Sequence, residues 1–294
     1  IDISILKDLG YDVLLSNRIF DSLLFWKYDI LFSYFYRYSF FAALLAKCFG
    51  KKTYFTGGID SLDSDYASAF NYKIQALFFK LCYWVADSCI IVSQSDLKNI
   101  FKVSSLKKKL SYSEHVINTK LFIADVPKEK IFTSIVWMGD EGNVVRKGVD
   151  KALQIFAELK KIPEFVDYRF VIIGRKGEGE VLVRSIIDKY NLKGSVELKG
   201  EVSEEDKINL LKQSKYYFQL SLYEGFGLAA LEALCANNII IHSGKGGLAN
   251  PIYKEQLLFD IDNDFDSELL KLVNKLACFT PITSYDNLLE SVSY

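Results

Sequence analysis

Glu224 and Glu232 stand eight residues apart in the run Ser221-Leu-Tyr-Glu224-Gly225-Phe226-Gly227-Leu-Ala-Ala-Leu-Glu232. The run follows a β-rich apolar segment and opens a helical pattern. Gly225 and Gly227 permit a tight turn and close approach of backbone to a ligand. The amides after Gly225 fall at a helix N-terminus, where the dipole favours an anion such as phosphate. Eight residues at helical rise span about 12 Å. That span would let one carboxylate reach a sugar ring and the other a ribose, with a diphosphate at the helix tip between them. The interval alone is not distinctive, since Glu197 and Glu205 repeat it without a strand-turn-helix setting. Two glycines around a phenylalanine are more than a capped surface helix requires.

Alternation of short β-rich runs with helical patterns supplies the elements that position these residues. In the first part, Tyr11–Ser16, Ile30–Ser33, Thr53–Thr56 and Cys89–Ser93 read as strands, with helices at 1–9, 39–49 and 66–86. In the second, strands are expected at 135–139, 170–174, 196–198, 217–220 and 239–242. Helices follow at 148–161, 178–190, 204–213, 227–236 and 266–278. Such alternation predicts an α/β fold of two doubly wound, Rossmann-like domains with parallel sheets, facing a cleft. The polar stretch 118–132, with Pro127, breaks the rhythm. The expected division is 1–125, 126–280 and a C-terminal helix over 281–294 that packs back on the first domain.

Composition excludes several classes. Lys+Arg 36 against Asp+Glu 37 gives a net charge of -1, without the cationic excess of a nucleic-acid binder. Half the residues are hydrophobic, which excludes a mainly disordered chain. Five cysteines without a CxxC pair read as buried free thiols of a reducing cytoplasm. His115 and His242 are too isolated for a zinc site. DxD patterns at Asp63-Ser64-Asp65 and along 260–266 read as solvated loops, so no catalytic metal and no cofactor are expected. The aromatic region Phe20–Lys52, with Lys47, Lys51, Lys52 and Lys107-Lys108-Lys109, is a candidate for peripheral contact with an anionic membrane. Alternation with strands favours instead a core role for the aromatics and solvated lysines.

The segment from Glu224 to Leu234 resembles the glutamate-x7-glutamate signature of retaining GT-B glycosyltransferases of the family-four, group 1 type. Trp137-Met138-Gly139 with Arg146-Lys147-Gly148-Val149-Asp150 resembles that family's strand and "KG-D" helix start. Val171–Gly174, Leu198–Val202 and Gly244–Gly247 fall where the family has a strand with its glycine turn, a "G-V" turn and a late glycine loop. Val85–Ser93 and His115–Phe122 resemble first-domain and linker motifs. The likeness is strong over 135–250 and thin before 85. It implies transfer of a sugar from a nucleotide-diphosphate donor to a glycan or lipid-linked acceptor, with retention and without a metal. By the resemblance Glu224 is catalytic and contacts the donor sugar, Glu232 holds the ribose, and Lys147 pairs with the diphosphate. The Gly225-Phe226-Gly227 turn cradles the phosphates, and Gly174 and Val202 line the base pocket.

Two positions depart from the pattern. Asp140 follows Gly139 where the family has a second diphosphate cation, for which Arg146 is the candidate substitute. The first-domain loop Thr56-Gly57-Gly58-Ile59-Asp60 lacks the histidine many members carry. A GT-B-shaped binding or regulatory protein without turnover is therefore the rival expectation, with epimerase and phosphorylase chemistry behind it. The chain opens at Ile1 and its only methionine is Met138. A preceding strand and a glycine-rich acceptor-side loop are accordingly expected upstream.

Overall fold

The computed structural model describes residues 2–62, 68–103, 107–123 and 126–278. The chain divides into two compact units, Ile1–Val116 and Ile117–Tyr294. The expected helix over 281–294 and the Asp63-Ser64-Asp65 motif lie outside the described residues.

The first unit runs α1 (Asp2–Asp8), β1 (Ile30–Tyr34), α2 (Tyr36–Cys48), β2 (Lys52–Thr56), α3 (Ala69–Val85), β3 (Ser88–Ile91), α4 (Gln94–Val103) and β4 (Leu110–Tyr112). Its four strands pair in parallel, in chain order. Phe55, Phe79, Cys82, Cys89, Ile91 and Ile100 form the centre of the core. The expected strand at 11–16 is absent: those residues are irregular, with Leu14 and Leu15 exposed. The run is β-prone, but no neighbouring strand takes up its backbone groups. Cys48 is also exposed, contrary to the expectation for all five thiols, because it ends α2 on the solvent side.

Three of the six lysines expected to be solvated, Lys47, Lys51 and Lys109, make polar contacts. Lys47 pairs with Asp87 at 2.5 Å and Lys51 with Asp29 at 3.0 Å. Lys109 Nζ donates to the carbonyls of Tyr83, Trp84 and Ala86 and so closes the C-terminal end of α3.

The second unit contains β5 (Glu129–Ile135), α5 (Glu141–Arg146), α6 (Val149–Leu159), β6 (Arg169–Ile173), α7 (Glu180–Lys189), β7 (Val196–Gly200), α8 (Glu204–Gln213), β8 (Ser214–Gln219), α9 (Leu228–Cys235), β9 (Ile239–His242), β10 (Leu257–Leu258) and α10 (Phe265–Cys278). All strands are parallel, in the order β10-β9-β8-β5-β6-β7. The chain winds from β5 outward to β7, then returns to β8 on the other flank of β5. Winding reverses between β5 and β8, and ligands of such sheets sit beyond the carboxyl ends of the strands at that point.

The expected strand at 135–139 is displaced. The strand occupies Glu129–Ile135, and the next residues run alongside the end of β6 through Val136 N–H to Ile173 O and Met138 N–H to Arg175 O. Charged residues at its start hid it in the sequence. Glu129 pairs with Arg169 and Lys130 with Asp167, leaving Ile131 and Phe132 to reach opposite faces of the sheet. Phe132 stacks on Tyr216 and Phe218 at 4.6 and 5.1 Å between ring centres, which ties β5 to β8.

Lys128 belongs to the stretch read as a polar linker, yet its ammonium is enclosed. It donates to the carbonyls of Leu211, Lys212 and Ala236 at 3.2, 2.8 and 2.5 Å, closing the C-terminal ends of α8 and α9 together. Those carbonyls have no continuing helix to satisfy them. Asn238 Nδ2 also donates to Leu211 O and Ala236 O, at 2.7 and 3.3 Å, so Lys128→Met leaves those two partnered. The variant is expected to lower the unfolding free energy by about 1 kcal/mol, through loss of the bond to Lys212 O and of the bridge between the two helix ends. Urea unfolding followed by circular dichroism checks this, and a change under about 0.5 kcal/mol would refute the capping role.

Candidate active site

Every strand of the second sheet points the same way, so the loops after β5, β6, β7, β8 and β9 emerge at one edge. The sequence-expected site residues other than Glu232 all lie at or just beyond that edge. The loop after β8 carries Glu224, and the loop and short helix after β5 carry Arg146 and Lys147. Lys147 Nζ meets both carboxylate oxygens of Glu224, at 2.9 and 2.8 Å. Both side chains are largely withdrawn from water, 20% and 17% exposed, so the attraction is weakly screened.

Backbone contacts hold this pair together. Leu222 N–H donates to Arg146 O at 2.8 Å, joining the two loops beside the ion pair. Gly148 lies against Leu220: a Cβ at this position, where φ is +67°, would overlap the Leu220 carbonyl. Beneath Glu224 runs the glycine loop 244–247. Gly247 N–H donates to Glu224 O at 2.6 Å, and a Cβ on Gly246 would strike the same carbonyl. The late glycine loop therefore seats the glutamate.

Gly227 takes the left-handed conformation and Leu231 N–H reaches its carbonyl at 2.9 Å, opening α9. Gly225 and Phe226 thus stand at the N-terminal end of α9, where the helix dipole favours an anion. Tyr253 Oη donates to Gly227 O at 3.2 Å and pins the turn from behind. Asp140 is the N-cap of α5, its carboxylate accepting from Asn143 N–H at 2.7 Å. The departure from the family pattern thus has a structural use. Arg146 is occupied too: its guanidinium donates to Asn143 Oδ1 at 2.6 and 3.2 Å.

Gly174 N–H donates to Gly200 O at 2.8 Å, bringing the turns after β6 and β7 side by side. Val202 packs with Ile131, Val171, Ile173 and Leu210 and borders a cavity of about 620 Å³ between β7 and α8. That cavity shares no lining residue with the Lys147–Glu224 pair. Among the described residues no group of three His, Cys, Asp or Glu side chains is arranged to hold a metal. In the first unit, Gly57 and Gly58 both have positive φ and lie over Phe35, itself at φ +64°.

Glu232 has its own cation. Lys207, from α8, contacts Glu232 at 2.9 Å and Glu204 at 2.7 Å. Nothing in the sequence marked Lys207, whose spacing from Glu204 is that of an ordinary surface pair along a helix. Burial lowers the Lys207 pKa, but its bonds to two carboxylates outweigh that and raise it. Burial raises the Glu232 pKa, and the single ammonium only partly offsets it.

A carboxyl whose folded pKa exceeds its ordinary 4.5 binds more protons folded than unfolded between the two values. It therefore removes stability as pH rises through that window. Lys207→Met strips the opposing cation, raises the Glu232 pKa further and extends the window upward. The variant is expected to match the parent below the ordinary 4.5, where Glu232 is protonated in both, and to fall progressively behind as pH rises beyond the parent's raised value, by about 2–3 kcal/mol at neutral pH. A pH series of urea unfolding curves measures this, and a constant offset at all pH values would refute it.

Residues 142–276 match the family model described as glycosyl transferases group 1. The chain is 32% identical over 144 residues to the GDP-mannose:cellobiosyl-diphosphopolyprenol alpha-mannosyltransferase of Xanthomonas oryzae pv. oryzae, covering 42% of this chain and 37% of that one. It is 27% identical over 129 residues to the GPI3 component of the phosphatidylinositol N-acetylglucosaminyltransferase of Saccharomyces cerevisiae, covering 44% and 28%. The matched stretches thus span well under half of those relatives. Sucrose-phosphate synthase from Thermosynechococcus elongatus superposes with a TM-score of 0.68 at 20% identity, over 85% of this chain and 65% of that one. The α/β fold with two parallel sheets matches GT-B glycosyltransferase structures, and the match to the glycosyl transferases group 1 model falls within the second unit.

Proposed function

We propose that this chain moves a sugar from a nucleotide-diphosphate donor to a lipid-linked or glycan acceptor, with retention of configuration. The observation that carries the reading is the Lys147–Glu224 pair at the point where the second sheet reverses, beside the N-terminal end of α9. In this reading the donor diphosphate displaces Glu224 from the ammonium. Lys147 and the amides of Phe226 and Gly227 then face the charge that grows on the leaving phosphate as the sugar–oxygen bond breaks. Glu224, released, holds the sugar hydroxyls, and Glu232 holds the ribose. Gly174 and Val202 border the base, Arg146 remains a buttress of α5, and the cations are the chain's own, without a metal or cofactor.

Two matched relatives support a lipid-linked acceptor, since their names carry a polyprenol diphosphate and phosphatidylinositol. No helix among the described residues is long and apolar enough to cross a membrane. The surface of α3 supports peripheral contact instead. Phe70, Leu77 and Trp84 are 73%, 56% and 74% exposed along one stripe, Lys73 and Lys80 lie between them, and the helix has no acidic residue. Trp84→Ser with Leu77→Ser is expected to reduce co-sedimentation with phosphatidylglycerol vesicles at least about threefold without changing the melting temperature of the protein. Equal sedimentation of parent and variant would exclude this face.

The function itself is tested by melting the chain with UDP, GDP and ADP and by assaying transfer from their sugars. A diphosphate present at about 100 times its Kd stabilises the native state by about 2.7 kcal/mol. Lys147→Met is expected to abolish the rise in melting temperature. Glu224→Ala is expected to keep nucleotide binding while lowering transfer at least about 100-fold. Nucleotide binding by the parent with no transfer from any donor would favour the non-catalytic reading, and no binding at all would exclude both.

A further inference from the structure

A buried polar layer lies directly below Glu224, and neither the fold nor the sequence signature calls for it. Tyr217 and Gln219 point to the same side of β8, with exposures of 0% and 4%, and Ser221 follows at 0%. The layer has a direction. The backbone N–H of Ile135, at the end of β5, can only donate, and it reaches Tyr217 Oη at 3.2 Å. Burial holds the Tyr217 pKa far above its ordinary value, so the hydroxyl keeps its proton. That proton goes to Gln219 Oε1 at 3.2 Å. With its oxygen fixed as acceptor, the amide presents Nε2 toward Ser221 Oγ at 2.8 Å and Glu224 Oε2 at 3.4 Å. The far end of the chain is a carboxylate, which only accepts. Both ends are therefore unidirectional, and the Gln219 amide has one orientation that satisfies them.

We propose that Gln219 is a positioning residue for the Glu224 carboxylate, oriented by Tyr217 from the end of β5. In the ligand-free chain Lys147 already binds both oxygens of Glu224. The consequence rests on the glycosyl-transfer reading: once a donor diphosphate draws Lys147 away, Gln219 is the buried donor left on Oε2. It keeps the carboxylate in one rotation while the sugar is bound. Serine at 221 completes the second bond of Nε2, and its own carbonyl is held by Ser243 Oγ at 2.6 Å. The layer is thus anchored on β5, β8 and the loop after β9.

Two measurements separate this from a purely structural role and from failure of the functional reading. In the ligand-free chain, Gln219→Met and Tyr217→Phe are combined in a double-mutant cycle of urea unfolding. The chain of bonds predicts coupling, with the folded-to-unfolded ratio of the double variant departing from additivity by about threefold or more. Additive effects would overturn the proposal whatever the activity. In the transfer assay, with UDP-glucose, UDP-N-acetylglucosamine and GDP-mannose as donors, Gln219→Met is expected to lower kcat at least about tenfold. Its donor KM should stay within about twofold of the parent. Tyr217→Phe should fall in the same direction by a smaller factor. Unchanged kcat in Gln219→Met, or equal losses in kcat and KM, would overturn the positioning role. Coupling without transfer by the parent from any of the three donors would refute the catalytic half and the functional reading together. The hydrogen-bond chain would stand.

Discussion

The structure of the site depends on one constraint: two loops from strands distant in sequence must lie close enough for Lys147 to hold Glu224. β5 and β8 are neighbours only because the second sheet reverses its winding between them. Gly148 lets the start of α6 press against Leu220, and Gly246 lets a third loop press against the backbone of Glu224. The Leu222 to Arg146 hydrogen bond then closes the contact. A pair of opposite charges so withdrawn from water is stable only when its geometry is good enough to offset desolvation. The backbone supplies that geometry.

Each signature glutamate is matched by a lysine from another element, Glu224 by Lys147 and Glu232 by Lys207. The two pairs differ in what they demand. Lys207 is shared with Glu204 and sits inside a helix pair, so it fits a standing support for a buried carboxylate. Lys147 sits at the open edge of the sheet, at the end of the short helix α5 that Asp140 starts. Where the resemblance implies a second cation, Asp140 instead caps a backbone N–H of α5. In the proposed reading the phosphate end then relies on Lys147 and the helix amides.

Much of this was legible in the chain. Periodicity located most of the helices, since apolar spacing on amphipathic helices survives without knowledge of the partner. The glycine-rich turn at 225–227 was readable because few other residues tolerate that backbone. Two strand readings went astray for physical reasons. Residues 11–16 have strand propensity but no partner strand among the described residues, and propensity alone does not satisfy backbone groups. β5 was displaced because Lys128, Glu129 and Lys130 looked like a linker, whereas one caps two helices and the others pair across the surface. Lys109 misled in the same way, as a basic surface spot that closes α3.

The sequence by itself determined the fold class, the strand-turn-helix at Glu224 and the identity of the two carboxylates. Those follow from local rules: side-chain period, glycine conformations and the dipole of a helix start. Only the tertiary structure decided which groups surround the carboxylates. Lys147 and Glu224 are 77 residues apart, Lys207 and Glu232 are 25 apart, and Ile135 reaches Tyr217 across 82. No local pattern encodes such meetings, because they arise from the order in which strands pair. The protonation of Glu232 and the orientation of Gln219 are set there, by burial and by hydrogen bonds whose partners the chain brings in from elsewhere.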